Sequence, residues 1–361
     1  MNALRYLPFA LKPFGGSGVP VHLTLFVTGA CNLRCRHCFH FKEVADSVPG
    51  PELEQVRALA DSCARLGPLL WVSFGGGEPF LRRDLADLAQ AFARHGLRHL
   101  AIPTNGLVER MEATVRAILA ACPETYLSIA VSFDGPPDVH DSIRQVRGGH
   151  ERSKQAVLRL RGIARETERL GVGLITTVTR ENQEVLAAHV DELVRELRPD
   201  NLTINLARGT ALDTGLLDVD PSRYREVVEA KRRLMREGVL PYFRYPLAKL
   251  ASARDDLMYE HIERQARGER EPHLPCTAGT LSAVVFEDGS VRPCEILPDT
   301  LGNLNDVGWR LDELWNSEPA QALRRRIREQ RCACTWECAQ ADNVLFNARS
   351  WPKLALRTLQ R

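Results

Sequence analysis

VHLTLFVTGACNLRCRHC, residues 21–38, sets an apolar run directly ahead of three cysteines at spacing C-x3-C-x2-C. The run is short and rich in aliphatic residues. It reads as a strand covered on both faces, as in a parallel sheet. The loop that follows offers Cys31, Cys35 and Cys38, with His37 and His40 as the near candidates for a fourth ligand. Structural zinc sites close with four ligands, commonly paired C-x2-C knuckles. Iron–sulfur clusters take cysteines in short runs of this kind, and a cube held by three leaves one iron open. The spacing favours iron–sulfur, with zinc as the alternative.

The strand pattern recurs. LLWVSF (69–74), RHLAIP (98–103), YLSIAVSF (126–133), VGLITTV (172–178) and NLTINL (201–206) repeat it. Helical patterns lie between them at 53–67, 85–96, 108–122 and 152–171. In the first, Leu53, Val56, Leu59, Ala60, Cys63 and Leu66 share one face at spacings of three and four. Gly67, Gly96 and Gly171 are placed to end three of these helices. Six β–α repeats predict an α/β fold with a parallel sheet and outer helices, either curled into a partial barrel or open and doubly wound.

The chain has 48 basic and 46 acidic residues, a net charge of +2, which gives no basic surface for nucleic acid. No apolar run reaches the roughly 18 residues of a spanning helix. The start, MNALRYLPFALKPFGGSG, is broken by Pro8 and Pro13 and lacks a small-residue cleavage site. A cytoplasmic protein is expected, in which grouped cysteines are metal ligands rather than disulfides. Cys63 and Cys122 stand apart and read as buried thiols.

In a parallel barrel the loops after each strand open on one rim. Here those loops carry Gly75-Gly76-Gly77-Glu78-Pro79 after the second strand and Thr104-Asn105-Gly106 after the third. After the fourth come Ser132-Phe133-Asp134-Gly135, then His140, Asp141 and Arg144. Glycines 75–77 would let backbone approach a ligand closely.

Taken in order, these motifs resemble the radical S-adenosylmethionine (radical SAM) family. The resemblance implies a partial (β/α)6 TIM-like barrel and a SAM-binding [4Fe–4S] cluster on Cys31, Cys35 and Cys38. It places Gly76, Gly77, Glu78 and Pro79 at the SAM amino group and Asn105 in the third-strand turn. Ser132 and Asp134 fall near the ribose, and Arg144 near the SAM carboxylate. His37 departs from the aromatic residue that commonly precedes the last cysteine.

A second group follows. Cys276 and Cys294 flank a predicted hairpin, SAVVF and SVRPC joined through Asp288-Gly289. Cys332, Cys334 and Cys338 come later. The group resembles the SPASM and twitch extensions of radical SAM enzymes. It implies one auxiliary [4Fe–4S] cluster, held by Cys276, Cys294 and Cys338 with Cys334 or Cys332 as fourth ligand; zinc is again the alternative. The expected organisation is a lead-in (1–20), a radical SAM core (21–210), a helical connector (211–270), an auxiliary-cluster domain (271–345) and a tail (346–361). The expected activity is reductive cleavage of SAM and hydrogen abstraction from a peptide or a small molecule (a sugar, cyclitol or amino acid). Oxidation leads epimerisation and carbon–carbon bond formation. A flavodoxin or ferredoxin would supply electrons, and a separate peptide-recognition protein is compatible with a peptide substrate.

Overall fold

A computed structural model describes residues 3–10, 19–271 and 274–361. Part of the lead-in and residues 272–273 therefore lie outside the described residues. Six parallel strands run in order: β1 (His22–Phe26), β2 (Trp71–Gly75), β3 (His99–Thr104), β4 (Tyr126–Ser132), β5 (Leu170–Val178) and β6 (Asn201–Leu206). All six coincide with the apolar runs. Their outward residues, such as Leu23, Val72, Leu100, Ile129, Leu174 and Ile204, are fully or almost fully buried under the helices. Several inward positions are small: Thr24, Ser73, Ala101, Ser128 and Thr203 all border one cavity of about 980 Å³. The sheet therefore wraps around a hollow centre. This settles the topology as a partial barrel, where a filled TIM barrel carries bulky residues inside.

The sheet does not stop at β1. The predicted hairpin forms, with β7 (Ser282–Val285) and β8 (Ser290–Arg292) antiparallel, and β9 (Gly302–Asn303) adds to it. β7 also pairs with β1 in parallel, Leu23 opposite Ala283 and Leu25 opposite Val285. One nine-stranded sheet results, in the order β6-β5-β4-β3-β2-β1-β7-β8-β9. Cys276 and Cys294 thus flank the barrel's own extension, next to the strand that leads into Cys31.

One helix end differs from expectation. The helix predicted to close at Gly171 stops at Ala164, and Gly171 lies inside β5. A side chain there would meet the Tyr126 hydroxyl at 2.4 Å, so close packing rather than capping requires glycine. Among the described residues no helix is long and apolar enough to cross a membrane.

Candidate active site

The three-cysteine loop leaves β1 and is tied down by the far side of the barrel. Arg36 N donates to Ile143 O at 2.8 Å, and Asp213 N donates to Arg36 O at 2.8 Å. The Arg36 guanidinium pairs with Asp213 at 2.8 Å. Cys31, Cys35 and Cys38 all border the cavity. Burial pushes the Cys31 thiol up to about 11 and the Cys38 thiol up to about 12, with neighbouring thiols adding to both. Three thiols gathered on one loop at the cavity suit a soft metal centre, because coordination removes their protons. Leu33 N points at Cys31 Sγ at 3.5 Å, the kind of backbone donor that supports a cluster sulfur. His40 does not join them. Its Nε2 lies 2.7 Å from Glu287 Oε1, so one of the two candidate fourth ligands of the zinc alternative is taken up elsewhere.

The glycine loop after β2 crosses this loop. Gly77 N donates to Thr28 O at 2.6 Å and Glu78 N to Ala30 O at 2.8 Å. A Cβ at Gly77 would sit 2.1 Å from Ala30 O, and Gly76 (φ +118°) would place one 2.2 Å from Thr28 O. The glycines are therefore needed for loop-on-loop contact, a reason distinct from the approach of a ligand.

Glu78 caps the short turn Pro79–Leu81, with proline at its first position. Its Oε1 accepts from Phe80 N at 3.1 Å and Thr104 Oγ1 at 2.8 Å, and its Oε2 from Asn105 N at 2.8 Å. Burial still drives its pKa upward, although these donors and Arg144 oppose the rise. Asn105 Nδ2 reaches Asn32 Oδ1 at 2.7 Å, so the loops after β1, β2 and β3 form one network. Gly76, Gly77, Glu78, Pro79, Asn105, Ser132 and Arg144 all face the same cavity as the three thiols.

Asp134 does not. It is fully buried behind the wall. Its Oδ1 accepts Thr177 N at 2.9 Å and its Oδ2 accepts Arg144 Nε at 2.7 Å. Burial pushes the carboxyl upward, but Arg144, then His37 and His140, hold it below its ordinary value. In this arrangement Asp134 holds Arg144 from behind. His37 faces the cavity with Nε2 3.8 Å from Asp134 Oδ2 and a buried, unpartnered Nδ1. Burial lowers its pKa to about 4, so at neutral pH it is a flat, uncharged ring with a free nitrogen.

The second cysteine group converges as well. Cys276, Cys294, Cys334 and Cys338 pack around Phe26, Phe286 and Trp336. Cys276 hydrogen-bonds Cys332, and the thiols of Cys294, Cys332 and Cys334 act on one another electrostatically. Leu297 N points at Cys294 Sγ at 3.3 Å. Cys338 borders the central cavity, together with Arg208, Glu295 and Glu337. The sequence reading missed these last three. The only signal was that each glutamate adjoins a cysteine.

A thiol-lined, hollow partial barrel with a second cysteine cluster on its sheet extension defines an iron–sulfur radical enzyme. The radical SAM superfamily model matches residues 25–193, and the SPASM iron–sulfur cluster-binding domain matches residues 276–339. The chain belongs to the radical SAM superfamily, as an enzyme with a C-terminal SPASM domain, and its cofactors are [4Fe–4S] clusters and SAM. It is 31% identical over 251 residues to Fe-coproporphyrin III synthase of Methanosarcina barkeri, covering 66% of this chain and 59% of that protein. It is 27% identical over 311 residues to AdoMet-dependent heme synthase of the same organism, covering 82% and 83%. Its fold is similar to Streptococcus suis SuiB bound to precursor peptide SuiA, at TM-score 0.63 and 16% identity, covering 90% of this chain and 70% of that one. The chain spans less than two thirds of the first relative's length.

Proposed function

We propose that this chain oxidises a porphyrin-sized, largely apolar small molecule by SAM-dependent radical chemistry, aided by one auxiliary cluster. When bound, the cluster and SAM supply a one-electron cleavage of SAM to methionine and a 5′-deoxyadenosyl radical, which takes a hydrogen atom from the substrate. Cys31, Cys35 and Cys38 would hold the first cluster. Glu78 offers a carboxylate near the SAM ammonium group. Arg144, fixed by Asp134, offers a cation for the SAM carboxylate. His37 supplies a neutral ring and one open nitrogen for the adenine. A flavodoxin or ferredoxin fits as electron donor.

One observation carries this reading. The three-cysteine loop and Cys338 of the second group border a single cavity of about 980 Å³. Single-ligand pockets run to about 1,000 Å³. This one must also admit SAM, so the space left favours a compact second molecule over an extended chain. The floor is aromatic, with Trp71, His99, Tyr126 and Tyr245 in contact. The names of the two curated relatives refer to iron porphyrins, which are bodies of that size and character.

The test is anaerobic turnover with SAM, dithionite and side-chain-deuterated iron coproporphyrin. Deuterium in 5′-deoxyadenosine is the expected result. No transfer from the porphyrin, with transfer from a precursor peptide, would replace this reading with a peptide maturase.

A further inference from the structure

Cys294-Glu295 and Glu337-Cys338 are mirror-image dipeptides, each setting a carboxylate beside an auxiliary-site cysteine. Both carboxylates close on one side chain. Arg208, just past the end of β6, meets Glu295 Oε2 at 3.2 Å and Glu337 Oε2 at 2.5 Å. The remaining oxygen of Glu337 accepts Leu206 N at 2.9 Å. The side chains are 14%, 11% and 8% exposed. The triad therefore clasps both cysteine-bearing segments to the barrel, in the cavity wall beside Cys338. The Arg208 charge opposes the rise in thiol pKa at both Cys334 and Cys338.

We propose that Arg208 is a positioning residue that sets the reduction potential of the auxiliary cluster. The inference rests on the auxiliary cluster and not on the identity of any substrate. A reduced cluster carries one more negative charge than an oxidised one. A buried cation nearby favours the reduced form, and the low dielectric of the interior strengthens the effect. Two carboxylates share the one guanidinium. Removing its charge therefore exposes the cluster to two uncompensated negative groups, whereas removing one carboxylate leaves the arginine less neutralised. The two changes must move the potential in opposite directions.

The experiment uses the full chain carrying Cys31→Ala, Cys35→Ala and Cys38→Ala, so that all bound iron sits in the auxiliary site. The midpoint potential is read by electron paramagnetic resonance during a redox titration. Expected results are a more negative midpoint in Arg208→Gln, a value near the parent in Arg208→Lys, and a more positive midpoint in Glu295→Gln. An unchanged or more positive midpoint in an iron-replete Arg208→Gln protein overturns the proposal. So does an unchanged or more negative midpoint in Glu295→Gln, which decides the matter if Arg208→Gln loses its iron. SAM cleavage is not measured, so failure of the proposed reaction and failure of this inference are separate results.

Discussion

Arg144 Nε lies 2.7 Å from Asp134 Oδ2, and the two side chains are 10% and 0% exposed. The pair lies in the cavity wall, with Asp134 sealed behind Arg144. Its guanidinium still borders the cavity, so the ion pair turns a buried carboxylate into an aimed cation.

Asp134→Asn is accordingly expected to destabilise the protein before any ligand is added. It leaves Arg144 buried without a counter-charge, which costs about 3–5 kcal/mol. Urea unfolding of the ligand-free protein checks this. Unchanged stability with weakened SAM binding would instead return Asp134 to the ribose.

Cys35→Ala is expected to abolish 5′-deoxyadenosine formation under dithionite while the auxiliary iron persists. The thiol lies between its two partners in a loop that shares no cysteine with the second group. Iron and sulfide analysis beside a product assay reads both halves. With one auxiliary cube, about half the iron should remain. A variant that still cleaves SAM would remove the three-thiol assignment.

Glu78→Gln reverses a donor–acceptor match. The carboxylate accepts from Phe80 N, Thr104 Oγ1 and Asn105 N, and an amide NH2 in that position faces donors. The expected loss is about 1–3 kcal/mol of stability. The SAM KM is expected to rise at least tenfold through loss of the charge. Thermal unfolding and SAM-dependent kinetics separate the two effects, and an unchanged KM would take Glu78 out of the SAM site.

Acid sensitivity follows from several buried and half-buried histidines. Burial lowers His37 and His189 to about 4, and His99 and His140 to about 3, from an ordinary 6.5. Above pH 6.5 both folded and unfolded forms are neutral, and the contribution is level. As pH falls below 6.5 the unfolded chain takes up protons that the folded chain refuses, so stability declines steadily down to about pH 4. Denaturant midpoints between pH 7 and 5 test this. His140→Gln, which can still accept the Asp134 N–H, should make the slope shallower. A flat profile would contradict the burial of these rings.

Much of this molecule was legible in the sequence because its signals are local. β1 to β6 each announce themselves as short apolar runs, since a strand buried on both faces has no polar alternation to hide. The cysteine spacing at 31, 35 and 38 needs no tertiary context either, because one loop supplies the whole donor set. Where the reading slipped, distant residues were in control. Gly171 looked like a helix end, yet the Tyr126 hydroxyl from the neighbouring strand dictates its identity. At Gly76 and Gly77, which border the cavity, the backbone of Thr28 and Ala30 sets a demand for glycine beside that of any ligand.

The sequence by itself determined the six core strands, the thiol loop and the glycine–glutamate turn, because each is written within a dozen residues. Only the tertiary structure decided that β7 pairs with β1 and makes the auxiliary site part of the same sheet. It also decided that Asp134 holds Arg144 and that Arg208 joins Glu295 to Glu337. The reason is physical. Burying a charge demands a partner, and the partner is chosen by proximity in space, which residue spacing along the chain does not encode.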